Sequence, residues 1–276
     1  GTILALGTLS LDRGKATLLY NGDGKHTNLL SIIQSVFVTL ENQGTTPSAP
    51  TSTTKLYQAS TPSAFFPAIQ HLLYTQPNFP TSSSLMVGLF EAIKSMNDKA
   101  SSLVDSLQTT HDYPLAQRQA TRIIEMIDGS QYASTSGDLP GSIPGMLTVP
   151  VGLLSSPTVP GYLDRITEQL HTIQQTADKH SEQFQYAQHV SNAITDLQDW
   201  LQKLRTFDVQ ILKSAHITDL GNINAALQLK QLADDVYTGR TIPPNGGPLP
   251  ILGSAGAYQA YTQCQYLAAL NMVKVS

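Results

Sequence analysis

The strongest constraint in this 276-residue chain is a run of apolar residues at alternating steps of three and four between Leu163 and Ile211. Leu163, Ile166, Leu170, Ile173, Ala177, His180, Phe184, Ala187, Ile194, Leu197, Leu201, Leu204 and Ile211 follow heptad spacing, with Ser191 and Asp208 at the two weak positions. Side chains three and four apart share one side of a helix, so the pattern predicts a single amphipathic rod. Neither Pro nor Gly interrupts it from Tyr162 to Leu220. A helix over about 160–213 would span about 75 Å at roughly 1.5 Å per residue. His180 falls inside the predicted seam, where a polar residue fixes register and, in a minority of cases, titrates as a pH-sensitive layer. Val190, Ala193, Trp200 and Phe207 widen the stripe and predict contact with more than one neighbour.

Before this rod the chain changes character twice. Thr2–Leu11 alternates partly, with Ile3, Ala5, Gly7, Leu9 and Leu11 on one face. Asp12-Arg13-Gly14-Lys15 is a turn signal and Ala16–Tyr20 a returning strand, so a β-hairpin is expected at the N-terminus. Thr27 then caps a predicted buried helix to about Gln43, with Leu29, Leu30, Ile32, Ile33, Val36, Phe37 and Leu40 as its broad apolar face. Residues 44–61 read as a polar linker or extended loop. Helices follow near 62–75, from Ser83 or Ser84 to about Thr109, and over about 114–128, the last stopped by Gly129. After the rod, helices are predicted near 222–237 and 254–271, and Met272–Val275 as a final strand beside the N-terminal hairpin.

Residues 129–161 stand apart. Pro140, Pro144, Pro150, Pro157 and Pro160 forbid a regular helix. Between them lie Leu139, Ile143, Met146, Leu147, Val149, Val151, Leu153 and Leu154, with almost no charge. An apolar loop of this length must be buried, inserted or bound to a partner, so these eight residues are the candidate interaction surface. A second apolar Pro/Gly loop is read at 240–253. The expected fold is thus mainly α: an elongated helical bundle round the rod, with a small N-terminal β-hairpin joined by a C-terminal strand. The expected division is 1–43 for hairpin plus buried helix, 44–61 for the linker, and 62–276 for the bundle.

Composition narrows the chemistry. The net charge is −4 and no basic run occurs, so nucleic acid is not an expected partner. Charged residues make up 13 % of the chain, about half the usual share of roughly 25 %. A polar, weakly charged surface suits packing against copies of itself, outside the cell or in a particle. Cys264 is the one cysteine and lies in an apolar stretch, which predicts a buried structural thiol. Glu168 and His171 share a helix face, but no second Glu-x-x-His completes a di-metal set. His171, His180 and His189 recur every nine residues and alternate sides of a helix, so they do not converge on one metal. Gly22-Asp23-Gly24-Lys25 lacks the spacing of a phosphate loop. No hydrolase elbow or dinucleotide fingerprint is present. No catalytic residue, metal or cofactor is therefore expected.

The first expectation is a non-enzymatic structural or interaction protein, a self-associating subunit of a particle, filament or surface assembly. A second follows from layout. An apolar head at 137–161 between helical limbs at about 84–128 and 160–213 resembles in outline the α-helical pore-forming toxins. That resemblance implies a membrane as partner. A third is an enzyme or ligand-binding bundle whose site is assembled from scattered residues.

Overall fold

A computed structural model describes residues 3–10, 12–22, 28–41, 55–75, 79, 83–140, 145–244 and 246–275. The chain forms a helical bundle with a small antiparallel sheet, as its apolar spacing predicts. It divides into two compact units. The first comprises Gly1–Phe66 and Ala269–Ser276, and the second Pro67–Ala268. The C-terminal residues thus belong with the N-terminal ones rather than with the bundle in which they were placed.

In the first unit, β1 (Ser35–Thr39) pairs antiparallel with β2 (Lys55–Ser60), and β2 with β3 (Val273–Lys274). The expected helix over Thr27–Gln43 is replaced by a 3-10 turn at Leu29–Ser31 and by β1. The Ser-Val-Phe-Val-Thr run is β-branched and aromatic, and its partner strand supplies the ladder that spacing alone does not reveal. Phe37 sits opposite Gln58, and the Lys55 ammonium lies 5.0 Å from the centre of the Phe37 ring. β2 also occupies part of the segment read as linker; residues 42–54 lie outside the described residues. The C-terminal strand is formed, with Lys274 opposite Tyr57 and Val273 opposite Gln58. At the N-terminus the expected turn is made by Asp12–Lys15, closed by two backbone hydrogen bonds of 2.8 and 2.9 Å. Arg13 and Gly14 both take positive φ, which is what a tight hairpin turn needs. Among the described residues the flanking arms form no ladder beyond this one bridge.

Among the described residues, the second unit packs seven α-helices of eight residues or more round one core, with a further short one. These are α1 (Phe66–Leu73), α2 (Leu85–Gln108), α3 (Tyr113–Asp128), the short α4 (Ser130–Thr135), α5 (Tyr162–Thr176), α6 (Glu182–Lys213), α7 (Leu220–Thr238) and α8 (Ala257–Tyr266). Of these, α1 begins at the last residue of the first unit. Ser84 caps α2 by accepting from the Val87 amide, and Asp112 caps α3 by accepting from Leu115 at 2.9 Å. Leu85, Leu89, Ile93, Met96, Ala100, Leu103 and Leu107 of α2 are buried at the predicted spacing. α6 packs against α7, α8, α5 and α3, and α2 against α3, α7 and α8.

The predicted continuous rod is two helices. α5 ends at Thr176, and α6 starts at Glu182. Between them Asp178 accepts the His180 amide at 2.8 Å, and Ser181 caps α6 through the Phe184 amide at 3.2 Å. Short polar side chains that capture nearby backbone groups compete with the helix, and here two of them lie within four residues. The limbs fold into an αα-hairpin, closed near the turn by Gln174 donating to Ser191 at 2.9 Å. Leu163, Ile166, Leu170, Ile173, Ile194, Leu197, Leu201 and Leu204 are buried as the seam requires. His180 is not in that seam. It lies exposed in the turn, and Phe184 beside it is half-buried.

Candidate functional site

The apolar Pro/Gly segment is a folded strap over the ends of α3 and α5 rather than a free head. Val151, Leu153 and Leu154 are buried in the chain's own core. The Leu153 and Leu154 amides donate to Met126 and Ile127 carbonyls at 3.0 and 2.9 Å, and the Tyr162 amide donates to the Gly152 carbonyl. Gly152 passes so close to α3 that a Cβ there would lie 2.5 Å from the Ile127 carbonyl oxygen. Leu139, Met146, Leu147 and Val149 are half-buried, and Ile143 lies outside the described residues. Of the eight candidate interaction residues, Val151, Leu153 and Leu154 are thus taken up by the chain's own core, the first of the alternatives open to an apolar loop. Their backbone polar groups find partners in the unit itself, which is how an apolar loop without regular structure can stay buried.

What holds these loops is a set of buried acids that apolar spacing did not reveal. Glu125 of α3 is 1 % exposed and accepts the Met146 amide at 2.8 Å and the Leu147 amide at 2.9 Å. Burial pushes its carboxyl above the usual range, against the pull of those two amides and of Arg122. Asp196 of α6 does the same for the second Pro/Gly loop. It accepts from Gly253 at 2.7 Å, Ser254 at 3.1 Å and Ala255 at 3.0 Å. The start of that loop is fixed by Arg240, which donates to Asp235 at 2.6 Å and lies 4.6 Å from the centre of the Trp200 ring.

A third cluster joins α3, α6 and the residues after α4. Arg205 donates through Nε to both oxygens of Asp128 at 2.8 and 3.0 Å. Its Nη2 donates to Asp128 and Asp138, each at 2.7 Å. Lys213 donates to the other Asp138 oxygen at 2.5 Å. These hydrogen bonds raise the Arg205 pKa further, while Lys213 and then Arg205 hold the Asp138 carboxyl below its usual range. Asp208, one turn beyond Arg205, is fully buried and neither of its oxygens has a hydrogen-bond partner. One sequence signal for it existed: Asp208 interrupts the heptad stripe where an apolar residue belongs.

Chemistry of other kinds is sparse. Among the described residues no three His, Cys, Asp or Glu side chains converge to hold a metal ion. Glu168 and His171 are both exposed on α5, and His189 of α6 pairs with Gln263 of α8 at 3.0 Å. Cys264 is buried, and burial pushes its thiol far up, away from nucleophilic use. Gly22-Asp23-Gly24-Lys25 lies largely outside the described residues. No described helix is long and apolar enough to cross a membrane. Comparison with known protein families, with curated proteins and with solved structures finds no match for this chain.

The surface that does stand open is in the first unit. Ala59, Phe65 and Phe66 are its buried apolar residues among those described. Ile3, Leu4, Leu9, Leu18, Leu19, Ile32, Leu40, Val273 and Val275 are exposed, Leu19 to 80 %. β1 and β3 are the outer strands of its sheet.

Proposed function

We propose that the protein is a structural subunit that associates with copies of itself through the unit formed by residues 1–66 and 269–276. The observation that carries this reading is the mismatch between that unit's apolar content and its core. A unit of this size needs a buried apolar face to hold its shape, and this one buries none of its described leucines, isoleucines and valines fully and leaves nine of them exposed. The chemistry of the open surface favours a second copy as the cover. Outer strands with unpaired amides and carbonyls are templates for another strand, and the exposed arms 3–10 and 16–20 carry strand-forming residues without a ladder. A surface that offers both arm and edge is complementary to itself. The low charge of the chain leaves little electrostatic repulsion between copies.

Light scattering coupled to size exclusion tests the reading. The intact chain is expected to run as an oligomer. The double variant Leu19→Asp/Val273→Asp is expected to shift it towards monomer without altering its helical circular dichroism. A strictly monomeric wild type at high concentration overturns self-association. An unshifted double variant would move the contact away from this unit.

A further inference from the structure

Two carboxylates grip one guanidinium at the α3–α6 seam, a third is buried one turn along α6, and the three are not equivalent. Asp128 takes a two-pronged grip from Arg205, and Asp138 takes its second Nη2 bond together with Lys213. Asp208 has no exposed surface and no hydrogen-bond partner, although it sits three residues along the same helix from Arg205. Residues three apart share a helix face, and the Arg205 charge acts on Asp208 although the two form no ion pair here. A buried polar group without a partner is costly, and an ionised one far more so.

We propose that Asp208 is the sensor of a pH-dependent latch: once ionised, it competes for Arg205 and loosens the hold of α6 on Asp138 and the residues round it. In the closed seam the surroundings of Asp208 favour its neutral form. Burial first, and the neighbouring Asp128 charge second, push its carboxyl well above the usual range, with Arg205 and then the nearby Ile124 backbone opposing. When the seam opens, Asp208 meets water and returns to the ordinary carboxylate range, so opening releases one proton. A group whose pKa is raised in the closed state favours that state at low pH. The latch is therefore firm in acid and weakens as pH rises towards the raised value.

The other charges nearby do not reverse this sign. Those acting on Asp208 are Asp128 of α3 and Arg205 of α6. α7, packed against α6, carries no charged side chain from Leu220 to Leu229, and α8 carries none at all. Asp164, Arg165, Glu168 and His171 of α5 lie on a helix whose charges do not act on Asp208. Asp138, held below its usual range, is ionised in both states above about pH 5. Glu125 is raised by burial and adds a slope of the same sign to the strap it holds, so it needs its own control.

Amide hydrogen exchange over residues 129–140, corrected for the intrinsic rate, tests the latch between about pH 5 and about pH 8. In the wild type the opening equilibrium is expected to rise with pH by up to about tenfold per unit below the Asp208 pKa. Asp208→Asn should remove that dependence, while Glu125→Gln should retain it. A wild-type slope of zero, or a slope that survives in Asp208→Asn, overturns the proposal. Should Asp208→Asn fail to fold, the Arg205 Nε–H resonance of the wild type decides: it is expected to shift with pH across this window, and a static resonance rules the latch out.

Discussion

At the scale of the residue, the acids carry more of the architecture than their number suggests. Asp196 satisfies three consecutive loop amides from one buried carboxylate, so truncating it orphans three donors at once. Asp196→Ala is expected to destabilise the fold by about 2–4 kcal/mol in urea unfolding, since each unsatisfied buried donor costs about 1–3 kcal/mol and part of the loop can turn to water. Asp138 works through a different term. Its pKa is lowered in the folded chain, first by Lys213, so its contribution is present above the usual carboxylate range. That contribution is lost as pH falls through the lowered value. Asp138→Asn should therefore flatten the acid limb of a stability–pH profile while leaving the limb above neutrality unchanged. An acid limb as steep as that of the wild type would show that other carboxylates set it. These roles were not legible in the sequence, because an acid beside apolar helix residues reads as a solvated side chain until its partner amides, some twenty to sixty residues away, are known.

At the scale of the element, the helices that announce their own ends were the readable ones. α2 and α3 begin at Ser84 and Asp112, and α3 and α7 stop at Gly129 and Gly239, both with positive φ. Capping is local chemistry and can be read locally. The break between α5 and α6 was hidden because both limbs of the hairpin keep their apolar stripes in phase across it. Asp178 and Ser181 are compatible with a helix interior and decide for a turn only when Leu170 and Ile173 find α6 to pack against. Ser181→Ala is expected to cost about 1 kcal/mol, the usual worth of a side-chain cap, and to leave the hairpin intact. β1 was hidden for a related reason: Val36, Phe37 and Leu40 fit helical spacing, and only β2 distinguishes the alternatives. The strap before α5 was legible as an apolar loop, but not as one tied to its own chain. Gly152→Ala tests that tie. Its Cβ would meet backbone of Ile127 and Asp128, which cannot move as a side chain can. A loss of about 3 kcal/mol is expected, with the largest gain in hydrogen exchange at Leu153 and Leu154. An exchange pattern unchanged at those two amides would place the strap off α3.

At the scale of the whole molecule, the two units differ in what holds them, and that difference is testable without a ligand. The second unit buries leucine, isoleucine and methionine along α2, α3, α6 and α7, and both its Pro/Gly loops are fastened by carboxylates from within it. Everything a domain needs lies inside residues 67–268. Among its described residues the first unit has three short strands, few buried side chains and several exposed leucines. A fragment of residues 62–268, which keeps the turn before α1, is therefore expected to fold with a cooperative thermal transition close to that of the intact chain. If self-association resides in the first unit, the same fragment is also expected to be monomeric in light scattering at concentrations where the intact chain is not. These outcomes separate two claims. A fragment that fails to fold would place part of the core's support in the first unit. A folded fragment that still associates would leave the core argument standing and move the contact onto the bundle, where Leu220, Leu252 and Tyr258 are exposed. A folded monomer, beside an associating parent, would assign cohesion to the bundle and assembly to the sheet and its arms.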